Sequence, residues 1–262
     1  MDNHSISAAI IAQDEAANIA RCLDSLVGVV DEIVVIDSGS SDDTEAICRN
    51  YPQVRFLAVA WRGFGAQKQA AVDACQHDRI LSLDADECLS EELAASILSL
   101  RETGFEPGQA YYLKRLNNYC GRWIRHCGWY PDKQLRLFDR RHCHWQDVLV
   151  HEHIVCNERV TRSVLDGDLL HYSFDSIADH IDRINQYSDL GARKVAGKTA
   201  LGGRAVLGGL FRFFRMYLLN RGFLDGFHGF SLCWLSGMAV FLKYAKARQL
   251  DKDKRRSSDS RQ

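Results

Sequence analysis

Apolar residues in the first part of the chain follow two rhythms. The run Ile6 to Ala12, apolar but for Ser7, predicts a buried strand, and Glu15 to Val27 then puts Ile19, Cys22, Leu23 and Leu26 on one helical face. Ile33 to Ile36 predicts a second strand. It is stopped by Asp37-Ser38-Gly39-Ser40-Ser41-Asp42, turn formers that also suit the start of a helix. Val54 to Ala60 reads as a third strand, Phe64 to Cys75 as a helix and Ile80 to Leu83 as a fourth strand; Ser90 caps a further helix that has Glu91 and Glu92 in its first turn. Strands alternating with helices in this way predict an α/β fold, with a mostly parallel sheet and helices on both faces.

From Gln109 to about Leu165 aromatic and β-branched segments take over (Tyr111 to Leu116, Leu135 to Phe138, Arg159 to Leu165), and they predict an antiparallel extension of the sheet. Helical patterns follow over Ile177 to Val195, Arg204 to Asn220 and Phe227 to Arg248. The expected organisation is a catalytic domain over 1–175, a helical region over 176–250 and a disordered tail over 251–262, where nothing apolar remains to be buried.

A formal charge of −1 conceals an uneven distribution, because Gly203 to Arg256 holds eleven Arg and Lys against three Asp. This basic, aromatic-rich end suits an anionic membrane surface, with nucleic acid as the competing partner. Phe211 to Leu219 and Trp234 to Lys246 mix bulky apolar residues with Arg and Lys, the composition of a helix half-sunk among headgroups. Packing on the catalytic domain is the other reading. No apolar stretch reaches the roughly 18 residues of a spanning helix. Nine scattered cysteines and a start lacking a secretory pattern predict reduced thiols and a cytoplasmic location.

In parallel sheets ligands collect at the carboxyl ends of strands. Here those ends are acidic: Asp14 and Glu15, Asp37, then Asp84 and Asp86. In Leu81-Ser82-Leu83-Asp84-Ala85-Asp86 an apolar strand delivers two carboxylates, oxygen ligands of the kind that hold Mg²⁺ or Mn²⁺ against a diphosphate. In isolation such a pair is as readily an acidic turn ahead of a helix. Residues 120–156 are rich in Cys and His but lack the Cys-x-x-Cys pair of a structural zinc site, and His171 is read as a packed core histidine or a further metal ligand.

Taken together, Gln13-Asp14-Glu15-Ala16, Val35-Ile36-Asp37-Ser38-Gly39-Ser40-Ser41-Asp42, Gly63-Phe64-Gly65-Ala66-Gln67-Lys68 and Asp84-Ala85-Asp86 resemble the inverting nucleotide-sugar glycosyltransferases of family 2, which have the GT-A fold. Asp14 stands where that family usually has Asn. The resemblance implies that Asp37 accepts the uracil N3–H, that Glu15 and Asp84 lie by the ribose, that Lys68 lies near the base or diphosphate, that Ala85 belongs to the nucleotide-sugar site and that Asp86 holds the divalent cation.

Inverting transfer requires a base for the acceptor hydroxyl. Asp147 and Glu152, in Trp145-Gln146-Asp147-Val148-Leu149-Val150-His151-Glu152-His153, are the candidates, and Glu152 is preferred because the His-Glu pair resembles the branch of the family that builds the bacterial lipopolysaccharide core. Asn117 to Ile124, Gly128 to Asp132, Leu135-Arg136-Leu137-Phe138, Leu170-His171-Tyr172-Ser173 and Gly222 to Gly226 are similar to inner-core β-glucosyltransferases of that branch. The implied reaction moves a hexose, glucose from UDP-glucose, to a lipopolysaccharide-core or other membrane-bound glycan acceptor, on the cytoplasmic side of the inner membrane and without nucleic acid. The alternatives are another single-addition family 2 enzyme with a lipid-linked or other cell-envelope acceptor, a nucleotidyltransferase and a non-catalytic membrane adaptor.

Overall fold

Period-two alternation along the first strands builds the layers of the protein, as seen in a computed structural model that describes residues 4–106, 108–146, 152–197 and 202–259. On β1 (Ile6–Ala12), Ile6, Ala8, Ile10 and Ala12 pack into one core and Ala9 into another; on β2 (Glu32–Asp37), Ile33 and Val35 divide from Val34 and Ile36 in the same way. The first core is closed by α1 (Ile19–Leu26), α2 (Thr44–Cys48) and α4 (Glu91–Thr103), the second by α3 (Phe64–Ala74). Helices therefore lie on both faces. Leu23 and Ile19, both fully buried, contribute about 1.5–3 kcal/mol each.

Strand β3 (Val54–Ala58) pairs with β2, β2 with β1, and β1 with β4 (Arg79–Asp84), all parallel. Beyond β4 the sheet turns antiparallel: β8 (Asp132–Asp139) pairs with β4, and β6 (Gln109–Tyr119) with β8. Next come β11 (Thr161–Phe174) and then β5 (Glu87–Leu89), while β7 (Arg122–Ile124) folds back on β6. The parallel half with its antiparallel extension is the architecture the sequence predicts, although β6 and β11 outrun their expected spans.

The chain forms two units, Met1–Leu116 with Pro131–Tyr172, and Asn117–Tyr130 with Ser173–Gln262. In the second, α5 (Ile177–Val195) starts at a Ser176/Asp179 capping box. Then follow α6 (Gly202–Phe214), a π-helical turn over Arg215–Leu219, a 3₁₀ turn over Gly222–Asp225 and α7 (Gly226–Asp259). Its core joins Tyr119, Ile124, Cys127, Met216, Leu232 and Cys233. No described helix is long and apolar enough to cross a membrane.

Two expectations are corrected. The segment after Leu250, expected to be a disordered tail, continues α7 to Asp259, and its Asp251 carboxylate accepts the Gly197 N–H at 2.8 Å, a tertiary tie that composition does not announce. The cysteines are not all reduced thiols, because Cys143 and Cys156 stand directly opposite one another on the antiparallel pair β9 (Cys143–Trp145) and β10 (Ile154–Cys156) and are disulfide-bonded.

Candidate active site

Strands β1, β2 and β4 all end at one rim of the parallel sheet, and each ends in a carboxylate or a turn that carries one. Asp37, only 4% exposed, closes β2. Its Oδ2 accepts the N–H groups of Gly39 (2.8 Å) and Ser40 (2.9 Å), and its Oδ1 the Ser40 hydroxyl. A carboxylate oxygen has two lone pairs, so the turn occupies Oδ2 and leaves one acceptor direction on Oδ1. Gly39, at φ +97°, supplies the left-handed bend.

The β1 end locks to this turn. Asp14 donates its N–H to Ser40 Oγ at 2.8 Å and accepts the Ser41 N–H at 2.7 Å, while Glu15 N–H reaches Thr44 Oγ1 at 2.9 Å. Glu15 Oε2 takes a hydrogen bond from Asn18 at 2.9 Å, which holds its carboxylate over the start of α1.

The β4 end is a buried charge network. Lys68 comes from α3 and is 5% exposed; its Nζ lies 2.8 Å from Asp84 Oδ1 and 3.5 Å from Glu152 Oε1, and 4.8 Å from the centre of the Trp145 ring. A solvated helix lysine is thereby ruled out. From β8, Arg136 Nη2 bridges Asp84 Oδ2 (2.9 Å) and Glu87 Oε1 (2.8 Å), and Arg115 adds a second cation to Glu87 at 3.2 Å. Burial pushes the Asp84 carboxyl up, but the Lys68 ammonium and the Arg136 guanidinium outweigh it and hold the group well below the usual carboxylate range. Two cations therefore fix Asp84 as an anion.

Asp86 is outside that network. Its Oδ2 lies 3.2 Å from Nε2 of His171, on β11, and its backbone carbonyl accepts the Tyr172 N–H at 3.0 Å. His171 is thus drawn to a carboxylate and not into an apolar core. Among the described residues no cluster of three His, Cys, Asp or Glu side chains is arranged to hold a metal. The Asp86 carboxylate nonetheless suits Mg²⁺ or Mn²⁺, hard ions that take the rest of their shell from phosphate oxygens and water. Ala85, between the two Asp residues, is buried in the first core, so only its backbone is available to a ligand.

Glu15, Asp37, Lys68, Asp84, Asp86 and Glu152 all belong to the first unit, and Glu152 meets the donor half through Lys68. Asp147 and His151 lie outside the described residues. Sequence reasoning missed Arg136, Glu87 and Trp145, whose indole N–H donates to Ser82 Oγ at 3.2 Å. Besides the resemblance of the Leu135-Arg136-Leu137-Phe138 segment, the signal for Arg136 is a lone cation in an apolar strand, a pattern that requires a buried counter-ion.

The Glycosyl transferase family 2 model matches residues 7–107. An uncharacterized glycosyltransferase of Rickettsia felis is 32% identical, over 93% of this chain and 89% of its own length. The lipopolysaccharide core biosynthesis glycosyltransferase LpsC of Rhizobium meliloti is 30% identical, over 93% of this chain and 92% of its own. Among solved structures, S. aureus TarS 1–349 in complex with UDP aligns over 92% of this chain and 91% of its own at a TM-score of 0.48 and 13% identity. With the α/β sheet and its acidic rim in place, 32% and 30% identity to the Rickettsia felis and Rhizobium meliloti glycosyltransferases over nearly their full lengths makes the chain a member of glycosyl transferase family 2, an enzyme with the GT-A-like α/β architecture.

Proposed function

We propose that the enzyme transfers a hexose, glucose from UDP-glucose, with inversion to an inner-core lipopolysaccharide acceptor at the cytoplasmic surface of the inner membrane. The observation that supports the donor half is that β2, closing at Asp37, and β4, closing at Asp84, end on one sheet rim, where Lys68 pairs with both Asp84 and Glu152. The acceptor class rests on the near-full-length similarity to LpsC.

In this reading the free acceptor direction on Asp37 Oδ1 takes the uracil N3–H, and Glu15 and Asp84 face the ribose. Lys68 offers a point charge to the diphosphate. Asp86 would hold the divalent cation, which when bound supplies Lewis-acid neutralisation of the leaving diphosphate. Glu152 takes the proton of the acceptor hydroxyl as that oxygen bonds to the anomeric carbon, and the bond to the diphosphate breaks on the opposite face, releasing UDP.

The test is transfer of labelled hexose from several UDP-sugars to lipopolysaccharide truncated at the inner core. A β-linked glucose product from UDP-glucose supports the reading. Transfer only to other lipid-linked glycans, or only from other donors, rejects the substrate assignment and leaves the family membership intact.

A further inference from the structure

The second unit exposes more bulky apolar surface than a water-facing pair of helices tolerates. Leu219 is 76% exposed, Phe227 73% and Phe211 66%, with Leu207, Phe214 and Trp234 at half or more. Of these, Phe214, Phe227 and Trp234 belong to one ring cluster. Phe213 lies 5.3 Å from Phe214 and from Tyr217, 5.8 Å from Phe230 and 5.7 Å from Trp234; Phe230 stacks on Trp234 at 6.3 Å and on Phe227 at 6.4 Å. The rings form one connected aromatic surface across α6, the π turn and the start of α7. Contiguous exposed patches of this kind mark a docking site, whereas single exposed apolar residues do not.

The charges on the same elements name the occupant. Arg204, Arg212, Arg215 and Arg221 are all exposed, and none makes an ion pair among the described residues. Between Gly202 and Leu250 the only acid is Asp225, which is buried and turned inward, accepting the His126 backbone N–H at 2.9 Å and meeting the His126 ring at 2.9 Å. A second copy of this face would set arginine against arginine with no carboxylate between them. Exposed aromatic rings on elements whose exposed arginines lack carboxylate partners suit acyl chains beneath anionic headgroups, the chemistry of an interfacial helix.

We infer that α6, the π turn, the 3₁₀ turn and the first turns of α7 form a monotopic membrane-docking face that inserts Phe211, Leu219 and Phe227 into one leaflet and sets Arg204, Arg212, Arg215 and Arg221 among anionic lipid headgroups. The inference extends the reading of an acceptor held in a membrane, and it stands on unit-two residues that take no part in the active site.

The experiment is sedimentation of the full-length protein with vesicles of equimolar phosphatidylglycerol and phosphatidylcholine, or of phosphatidylcholine alone, alongside solution mass and UDP titration. The expected result is binding to the anionic vesicles that weakens about fivefold for each arginine replaced by Ala. It weakens at least about tenfold in Leu219→Ser/Phe227→Ser, with UDP affinity unchanged. Absence of vesicle binding with UDP binding intact overturns the docking face and spares the transferase reading. So does vesicle binding indifferent to these variants, or a wild-type dimer that Phe227→Ser converts to monomer. Vesicle binding as expected in a protein that fails to bind UDP supports the face and rejects the donor assignment instead.

Discussion

The Lys68 ammonium lies 3.5 Å from Oε1 of Glu152, so the carboxylate proposed as base is tied to the same cation that holds Asp84. Removing the charge at 152 leaves Lys68 paired to Asp84, and the fold loses no essential counter-ion. Glu152→Gln therefore keeps its melting temperature and its affinity for UDP while kcat falls about a hundredfold to ten-thousandfold. Steady-state kinetics beside UDP titration reads this split. Turnover near the wild-type value would remove Glu152 as the base.

Arg136, 2% exposed, holds the network from the opposite side, bridging Asp84 and the fully buried Glu87. Arg136→Met leaves Glu87 with Arg115 alone in a site from which water is excluded. Breaking such a pair from one side costs about 3–5 kcal/mol, read as a lower urea midpoint, and Arg136→Lys recovers only part of it because one ammonium does not reproduce a forked bridge.

His180, buried in the second unit, shares a 3.0 Å hydrogen bond with the Tyr119 hydroxyl, and burial, with the Arg183 charge beside it, pushes its pKa down to about 4. The unfolded chain, with the group near 6.5, binds the proton before the native one does. Stability is therefore full above about pH 6.5 and falls as pH drops toward about 4, below which this group adds no further loss. Thermal melts across that window show the slope, and His180→Gln flattens it.

The parallel half of the fold was legible because β1, β2 and β4 are written as short, nearly continuous apolar runs that lead into acids at or just past their ends. Strand β11 was half hidden. Asp166-Gly167-Asp168 reads as a turn, yet Gly167 sits in the strand at φ +88° because a Cβ there would stand 2.2 Å from the Leu93 backbone nitrogen. The tertiary approach of α4, not local propensity, fixes that residue. The same holds in the site: Asp37, Lys68, Asp84 and Asp86 lie in the donor-half motifs, whereas Arg136 reaches Asp84 and Glu87 from about fifty positions away in sequence, in a motif that says nothing of a role in the site. The Cys143–Cys156 bridge depends on strand register, which residue counting does not supply.

The most direct test of the donor site is calorimetric titration of the protein with UDP, with and without Mn²⁺, beside Asp86→Ala. The account predicts binding that Mn²⁺ strengthens in the wild type and leaves unchanged in Asp86→Ala, with the variant's melting temperature preserved because Asp86 stands outside the Lys68–Asp84–Arg136 network. Mn²⁺-strengthened binding that persists in Asp86→Ala would contradict the metal assignment, and absence of UDP binding under either condition would contradict the donor site as a whole.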